Sequence, residues 1–231
     1  MPPIVNNMAV HILSSRADVA IAAADLITDY IASNEHPALG LAGGSTPADL
    51  YRELTTRDIA WEKVVCWLGD ERWVSVDDPD SNSAMARRLL TDEVGVTFIG
   101  PDTSLPTPQE AAGIYTRQLA SPGLVLLGIG DDGHTASLFP GTDALREQAD
   151  VYLANWVEHK ETWRLTASFA MLRRAEHIVF LVAGGAKAER IHEILNLNIS
   201  HPAQRVAAQA KKVTWMLDTE AASLLSSPPP G

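Results

Sequence analysis

Several short apolar runs, each followed by a loop rich in glycine or charge, constrain the fold of this chain most strongly. The clearest are VVCWL (64–68), LVLLGIG (124–130) and HIVFLVA (177–183). Strands that are apolar on both faces are typical of parallel sheets covered by helices on either side. The sequence therefore predicts an α/β fold, a doubly wound and mostly parallel sheet with helices on both faces, with room for a small subsidiary lobe.

Apolar residues at helical spacing fill most segments between the strands. The predicted helices span residues 14–34, 47–56, 82–93, 109–119, 169–175, 185–195 and 202–210. The predicted strands span residues 38–42, 63–69, 96–99, 124–127, 151–157, 163–168, 177–183 and 213–217. Ligands of such sheets bind beyond the carboxyl ends of the strands. We therefore expect one cleft to be formed by the loops at 43–47, 70–74, 130–135 and 184–187.

Length and composition favour a single domain over residues 1–231, with residues 226–231 (SSPPPG) as a flexible tail. The net charge of -11 argues against a nucleic-acid partner, because no face can be broadly basic. We find neither a signal peptide nor an apolar run long enough to span a membrane. We expect a cytoplasmic protein, a monomer or small homo-oligomer, in which Cys66 is a buried apolar residue.

One loop carries an unusual density of reactive side chains. It is GIGDDGH (128–134), which directly follows the strand that begins at Leu124. His134 can serve as a general base or acid, since an unperturbed imidazole titrates at about 6.5. Asp131 either orients His134 or braces the loop through backbone amides, and the sequence leaves both alternatives open. Gly130 allows the backbone to turn tightly and to approach a ligand closely.

The same loop matches G-x-G-x-x-G, which taken alone would indicate a dinucleotide site. Its two aspartates, however, occupy positions where a pyrophosphate needs unobstructed amide donors, and Leu138-Phe139-Pro140 follows instead of a long amphipathic helix. A dinucleotide-binding oxidoreductase is therefore disfavoured. Ser45 is not expected to be a nucleophile, because Pro47 replaces the last glycine of a G-x-S-x-G elbow. No Cys/His cluster predicts a metal site.

Two further loops offer groups that suit a phosphorylated sugar. Gly43-Gly44-Ser45-Thr46-Pro47 presents amides and hydroxyls at a predicted helix N-terminus, which favours an anion. Asp70 and Arg72 follow a strand end, where a carboxylate suits sugar hydroxyls and a guanidinium suits a phosphate. Arg164 and Lys187 are further candidate phosphate ligands.

Four segments, in order along the chain, resemble the glucosamine-6-phosphate isomerase/6-phosphogluconolactonase family. They are LAGGSTP (41–47), LGDERWV with the later DSN (68–74 and 80–82), LGIGDDGHTASLFPG (127–141) and WRLTASFAMLRRAEHIVFLVAGGAKA (163–188). The most specific part is DGHTASLFPG, because an Asn-Glu-Pro sequence typically follows Asp-Gly-His in the deaminases of the family. Ser137-Leu138-Phe139-Pro140 therefore favours the lactonases.

The resemblance implies the α/β fold of the sugar-phosphate isomerase and deaminase superfamily. It also implies hydrolysis of 6-phospho-D-glucono-1,5-lactone in the oxidative pentose phosphate pathway, without an organic cofactor. His134 matches the proposed catalytic histidine of the family. Many members carry Lys-Pro-Pro before an Arg-x-Thr sequence, and Lys160 is the candidate for that lysine here. The other positions expected around the sugar phosphate are Gly43, Gly44, Ser45, Thr46, Asp70, Arg72, Arg164 and Lys187.

The mechanism that we predict is attack of a water on C1 of the lactone, with His134 as the base and Asp70 as the rival candidate. Backbone amides of residues 43–46 or 130–134 would stabilise the oxyanion. The alternative functions are a glucosamine-6-phosphate deaminase or isomerase and a non-catalytic sugar-phosphate-binding protein.

Overall fold

Two β-sheets organise the chain, and the computed structural model describes residues 7–226 of it. The strands are β1 (Asn7–Leu13), β2 (Ala38–Leu41), β3 (Val65–Leu68), β4 (Asp70–Arg72), β5 (Thr97–Ile99), β6 (Leu124–Leu127), β7 (Tyr152–Val157), β8 (Thr162–Ala167), β9 (His177–Val182) and β10 (Lys212–Asp218). Seven of them form a parallel sheet in the order β1-β10-β9-β6-β2-β3-β5. The predicted mostly parallel sheet is therefore confirmed. Residues 227–231 of the predicted tail lie outside the described residues.

The helices begin where the sequence offers caps. Ser15, Ser81, Thr107 and Ser168 each accept a backbone N–H bond with the side-chain oxygen at a helix N-terminus. A π-helical segment (Arg87–Thr91) joins two of the helices. The α-helices are α1 (Arg16–Ala32), α2 (Ser45–Leu54), α3 (Asn82–Ala86), α4 (Asp92–Val94), α5 (Pro108–Gln118), α6 (Phe169–Arg174), α7 (Ala188–Leu195) and α8 (Pro202–Gln209). Four 3-10 turns are described, at Trp61–Lys63, Asp143–Arg146, Glu158–Lys160 and Gly185–Lys187.

The parallel sheet is covered on both faces, which explains its continuous apolar strands. In β6, Leu124 and Leu126 pack in the core beneath α1 and α2, whereas Val125 and Leu127 pack in the core beneath α5 to α8. All four of these side chains are at most 1% exposed. Burying each such side chain contributes about 1.5–3 kcal/mol, so a polar residue at any of these positions would be costly.

The order of the strands determines where the loops of the predicted site lie. The chain runs outward from β2 through β3 to β5, then returns to β6 on the other side of β2 and runs outward through β9 to β10. The loops after β2 and β6 therefore leave the sheet in opposite directions and open a crevice between them. Such a reversal point is where open α/β sheets bind ligands.

A second sheet of three antiparallel strands, in the order β4-β8-β7, lies beside this crevice. The sequence predicted β7 and β8 as strands, but it predicted a loop at residues 70–74, where β4 is found. A tight connection at Glu158–Lys160, followed by Glu161 in the left-handed conformation, returns β8 antiparallel to β7. β1 was not predicted at all. It pairs with β10, which lies near the other end of the described residues.

Two predictions about individual features can be compared with the structure. Cys66 is fully buried in β3, as predicted, and burial raises the pKa of its thiol to about 12. Across residues 7–226, no helix combines the length and the apolar character needed to cross a bilayer.

Candidate active site

The crevice between β2 and β6 contains a cleft of about 270 Å³. Its wall is formed by the ends of β2, β3 and β6, by the loop after β6, and by β4 and β8 of the small sheet. Seven of the predicted site residues line this cleft, namely Gly43, Asp70, Arg72, Gly130, His134, Lys160 and Arg164.

His134 is fixed in the cleft by a neighbouring carboxylate. Its Nδ1 lies 2.6 Å from Oδ1 of Asp132, and its backbone N–H donates to the same oxygen at 3.0 Å. Burial alone would raise the pKa of Asp132, but the two hydrogen bonds from His134 outweigh burial and the pKa lies below its ordinary value. Since Nδ1 is engaged by Asp132, Nε2 is the ring nitrogen available for proton transfer.

The imidazole of His134 is also confined by its neighbours in the loop. Its ring lies 4.1 Å from the ring of Phe139, centroid to centroid, with a tilt of 30°. A Cβ atom at Gly130 would lie 2.0 Å from Cε1 and Nδ1 of His134, so a side chain at Gly130 would displace the imidazole. The predicted need for glycine at this position therefore has a concrete cause, the close approach of the imidazole.

Asp131 does neither of the two things that the sequence suggested. Its carboxylate forms an ion pair with Lys187, and this pair lowers the pKa of Asp131. The side chain is 81% exposed and does not line the cleft. Asp132, which the sequence analysis did not single out, is the carboxylate that orients His134. Gly133, which lies between Asp132 and His134, takes a left-handed φ of 80° where the Asp132 carboxylate contacts both the N–H and the Nδ1 of His134.

Asp70 is held at the floor of the cleft by hydroxyl and amide groups. The Ser137 hydroxyl donates to Oδ2 of Asp70 at 2.7 Å, and the Asn82 side-chain amide donates to the Asp70 carbonyl at 2.9 Å. Ser137 is itself fixed, because its N–H donates to Thr166 and its carbonyl accepts from Asn155. Ser137 thus joins the loop after β6 to the small sheet and to Asp70.

Glu71 lies beneath the cleft and fixes the chain that flanks it. Its side chain is fully buried and accepts the N–H groups of Arg72, Asn82 and Ser83, each at 2.7 Å. Burial raises the pKa of Glu71, and the N–H donors partly offset this effect. The carboxylate thereby ties the start of α3 to β4, next to two residues of the cleft wall.

Cationic side chains gather on one side of the cleft. Arg72 and Arg164 are directly opposite each other in the antiparallel pairing of β4 with β8. Burial, together with the charge of Arg72, lowers the pKa of Arg164. Lys160 reaches the same wall from the turn between β7 and β8, with Nζ 5.8 Å from the centroid of the Phe139 ring. An anion between these groups would relieve the repulsion of the two guanidinium groups.

The glycine loop after β2 contributes backbone rather than side chains. Gly43 lines the cleft, where a Cβ atom would lie 2.1 Å from Oδ1 of Asn82. Within the described residues, the N–H groups of Gly43 and Gly44 have no hydrogen-bond acceptor. Ser45 is exposed and lines a neighbouring cavity, and Thr46 is buried at the start of α2. Gly44, Ser45, Thr46 and Lys187 are not among the residues of the cleft wall.

Several polar residues in and next to the cleft were not predicted as site residues, for a common reason. Asn82, Ser137, Asn155 and Thr166 are neutral polar residues, and such residues occur throughout loops and strands without functional meaning. No sequence pattern indicated that Asp132, and not Asp131, contacts His134. In the part of the chain that the structure covers, no group of three or more His, Cys, Asp or Glu side chains is arranged to hold a metal ion.

Known proteins share both the sequence pattern and the fold. The sequence model described as glucosamine-6-phosphate isomerases/6-phosphogluconolactonase matches residues 14–215. A 6-phosphogluconolactonase of Synechocystis sp. is 37% identical over 228 residues, covering 91% of this chain and 93% of the relative. The 6-phosphogluconolactonase structure from Trypanosoma brucei superposes with a TM-score of 0.84 at 28% identity, covering 94% of this chain and 98% of its own.

A solved structure of a monomeric glucosamine-6-phosphate deaminase has the same fold. It superposes with a TM-score of 0.84 at 24% identity and covers 94% of this chain and 100% of its own. The match to the family model extends over most of the sequence, from the start of α1 into β10. The chain therefore belongs to the glucosamine-6-phosphate isomerase/6-phosphogluconolactonase family.

Proposed function

We propose that this protein hydrolyses 6-phospho-D-glucono-1,5-lactone to 6-phosphogluconate, the lactonase step of the oxidative pentose phosphate pathway. The observation that carries the proposal is the imidazole of His134, oriented by Asp132 in the same cleft as Arg72, Lys160 and Arg164. A base and a cationic wall are what a phosphorylated lactone requires. The 37% identical relative, a 6-phosphogluconolactonase, supports the same substrate.

His134 is the proposed general base, through Nε2. A water between Nε2 and C1 of the lactone gives a proton to the imidazole while its oxygen forms a bond to C1. The carbonyl π electrons move to the oxygen and form a tetrahedral oxyanion. Asp132 stabilises the resulting imidazolium through Nδ1, as a carboxylate does in other acid–base sites.

The second half of the reaction opens the ring. The oxyanion re-forms the carbonyl as the bond from C1 to the ring oxygen breaks, and the imidazolium gives its proton to that oxygen. The product is a carboxylic acid with a new hydroxyl at C5, and the acid loses its proton to solvent. Gly43 lines the cleft, its N–H has no acceptor among residues 7–226, and it is our candidate oxyanion donor.

The phosphate is proposed to bind between Arg72, Arg164 and Lys160. Arg164 and Arg72 repel each other when no anion is present, so a dianion at this wall gains from both charges. Asp70, fixed by Ser137, accepts hydrogen bonds from hydroxyl groups of the sugar. Lys187 is paired with Asp131 and would have to leave it to reach the substrate, so a role in binding stays a prediction.

The catalytic part is tested by acid release from freshly generated lactone, corrected for spontaneous hydrolysis. We expect His134→Ala to lower kcat by about 10²–10⁴-fold with little change in KM, because it removes the base and leaves the cationic wall in place. Near-normal kcat in this variant would contradict the assignment. If kcat falls by a larger factor in Asp70→Asn than in His134→Ala, Asp70 is the base. Release of ammonia from glucosamine 6-phosphate would instead favour the deaminase alternative.

The phosphate site is tested by neutralising Arg164, one of its two half-buried arginines. We expect Arg164→Gln to raise KM for the lactone by about tenfold or more, since a charge-assisted contact contributes about 1.5–3 kcal/mol. The matched control is Arg173→Gln, an exposed arginine on α6 that does not line the cleft. Inhibition by 6-phosphogluconate should weaken in parallel with KM. Equal KM values for both variants would exclude Arg164 as a phosphate ligand.

Two broader features belong to the same proposal. We propose that the protein acts in the cytoplasm on a small sugar-phosphate lactone, as a monomer or a small homo-oligomer. Fractionation of the source cells, and sedimentation of the purified protein, would check these two points directly.

A further inference from the structure

A second histidine, His201, packs against the loop that carries His134. His201 immediately precedes α8, and its ring lies directly against the backbone of Gly133. A Cβ atom at Gly133 would lie 2.5 Å from Cγ and Nδ1 of His201. In addition, the N–H of Ala203 donates to the Gly133 carbonyl at 3.1 Å. The first turn of α8 and the residue before it therefore contact the catalytic loop at Gly133, between Asp132 and His134.

His201 is itself fixed by residues of α7. Its Nε2 lies 2.6 Å from Oε2 of Glu193, and the same carboxylate forms an ion pair with Arg190. The side chains of His201 and Glu193 are 14% and 18% exposed, so the pair is largely shielded from water. A pair with this degree of burial is better ordered than an exposed ion pair. Its position against Gly133 is consequently well defined.

Gly133 lies between Asp132 and His134, and its conformation determines how these two residues meet. With φ at 80°, it turns the chain so that the carboxylate of Asp132 meets both the N–H and the Nδ1 of His134. A shift of Gly133 would move these donors relative to Oδ1 of Asp132. A displacement of about 1 Å in catalytic geometry can lower a rate by about 10²-fold.

We propose that His201, held by Glu193, is a positioning residue for the Asp132–His134 pair. It acts through Gly133 and does not line the cleft. This inference rests on the proposed function, because it concerns the same catalytic histidine. The residues from α7 to α8 thereby support catalysis, although they lie far from His134 along the sequence.

The test compares His201→Ala with His192→Ala. His192 lies on α7, where its Nδ1 contacts Asn196, and it does not line the cleft. We expect His201→Ala to lower kcat by about tenfold. KM should change by less than about twofold, because the proposed phosphate ligands Arg72, Lys160 and Arg164 are unaffected. His192→Ala should retain the kcat of the wild type. Activity is expressed per folded protein, measured by circular dichroism and thermal melting.

A double-mutant cycle tests whether Glu193 acts through His201. We expect Glu193→Ala to lower kcat less than His201→Ala, and the double variant to have the kcat of His201→Ala alone. Additive losses would overturn the pairing, and an unchanged kcat in folded His201→Ala would overturn the whole inference. If His201→Ala fails to fold, the kcat and KM of Glu193→Ala decide the matter by the same criteria. Failure of wild-type protein to hydrolyse the lactone would instead remove the proposed function.

Discussion

At the scale of single residues, the chemistry of the cleft depends on which neighbour each side chain faces. His134 has one ring nitrogen on Asp132 and one ring face on Phe139, so the imidazole has little freedom to rotate. Asp131 lies one residue earlier and faces Lys187 instead. Two adjacent carboxylates of the same kind therefore have different expected effects on turnover.

The difference between the two aspartates is a prediction. We expect Asp132→Asn to lower kcat by about 10–10²-fold, because an amide cannot stabilise the imidazolium as a carboxylate does and can hold the wrong tautomer. KM should change little. Asp131→Asn removes the same charge one position away and should lower kcat by a smaller factor. Steady-state kinetics of both variants measure the contrast, and a larger loss of kcat in Asp131→Asn would contradict the geometry.

How much of the site the sequence predicts follows from the same residues. His134, Asp70, Arg72, Lys160 and Arg164 were all expected, and all line the cleft. His134, Asp70, Arg72 and Arg164 were identifiable as charged or titratable groups near predicted strand ends, whereas Lys160 was expected only from the resemblance to the family. The choice of Asp132 over Asp131 depends on the conformation of the folded loop and on the pairing of Asp131 with Lys187, neither of which a sequence specifies. Ser137 was missed because a hydroxyl is equally suited to a loop, a cap or a site.

At the scale of elements, the cleft depends on how β4 and α3 are held together. Glu71 on β4 is the link, since its carboxylate accepts three backbone N–H groups that would otherwise have no partner. Two of them belong to Asn82 and Ser83, in the first turn of α3, where a negative charge also complements the helix dipole. Arg72 and Asn82, which line the cleft, are adjacent to these bonds.

Replacement of this carboxylate should therefore affect stability and binding together. We expect Glu71→Gln to lower the free energy of unfolding by about 2–3 kcal/mol, because an amide NH₂ would oppose N–H donors in a buried site. KM should also rise as Arg72 and Asn82 shift. Urea denaturation and kinetics are the measurements. The control is Glu93→Gln, an exposed glutamate of α4, for which an equal loss of stability would refute the explanation.

The elements themselves were largely predictable, with two informative exceptions. Continuous apolar runs identified β3, β6 and β9, since a sheet covered on both faces leaves no polar alternation. β4 has the sequence Asp-Glu-Arg, which no propensity scale favours as a strand, and it forms through pairing with β8. β1 contains Asn7 and His11 among its apolar residues and is stabilised by β10, a partner remote in the sequence.

At the scale of the whole molecule, stability should vary with pH through a buried histidine. His177 begins β9, and its Nε2 lies 2.8 Å from the Thr214 hydroxyl of β10. Burial, with a smaller contribution from Lys212, lowers the pKa of His177 to about 4. The unfolded chain binds this proton below about 6.5, so acid favours the unfolded state between these two values. The contribution is fully present above about 6.5 and is lost as the pH falls towards 4.

The corresponding prediction concerns the slope of stability against pH. We expect His177→Gln, which keeps a hydrogen-bonding group near Thr214 but does not titrate, to flatten the loss of Tm between pH 6.5 and 4.5. The shift from 6.5 to about 4 corresponds to at most about 3 kcal/mol over the full range. Thermal melts at several pH values measure this. His36→Gln, at an exposed position, should keep the wild-type slope, and identical slopes in all three proteins would contradict the prediction.

The pairing of β1 with β10 has a consequence for how the protein is made. Asn7 pairs with Lys212, and β1 has no other strand partner within residues 7–226. During synthesis on the ribosome, β1 can therefore enter the sheet only after residues 212–218 of β10 have been made. Strands that wait in this way are slow to pair and are exposed to aggregation meanwhile. β1 is accordingly the segment of this protein for which we expect a nascent-chain chaperone to matter most.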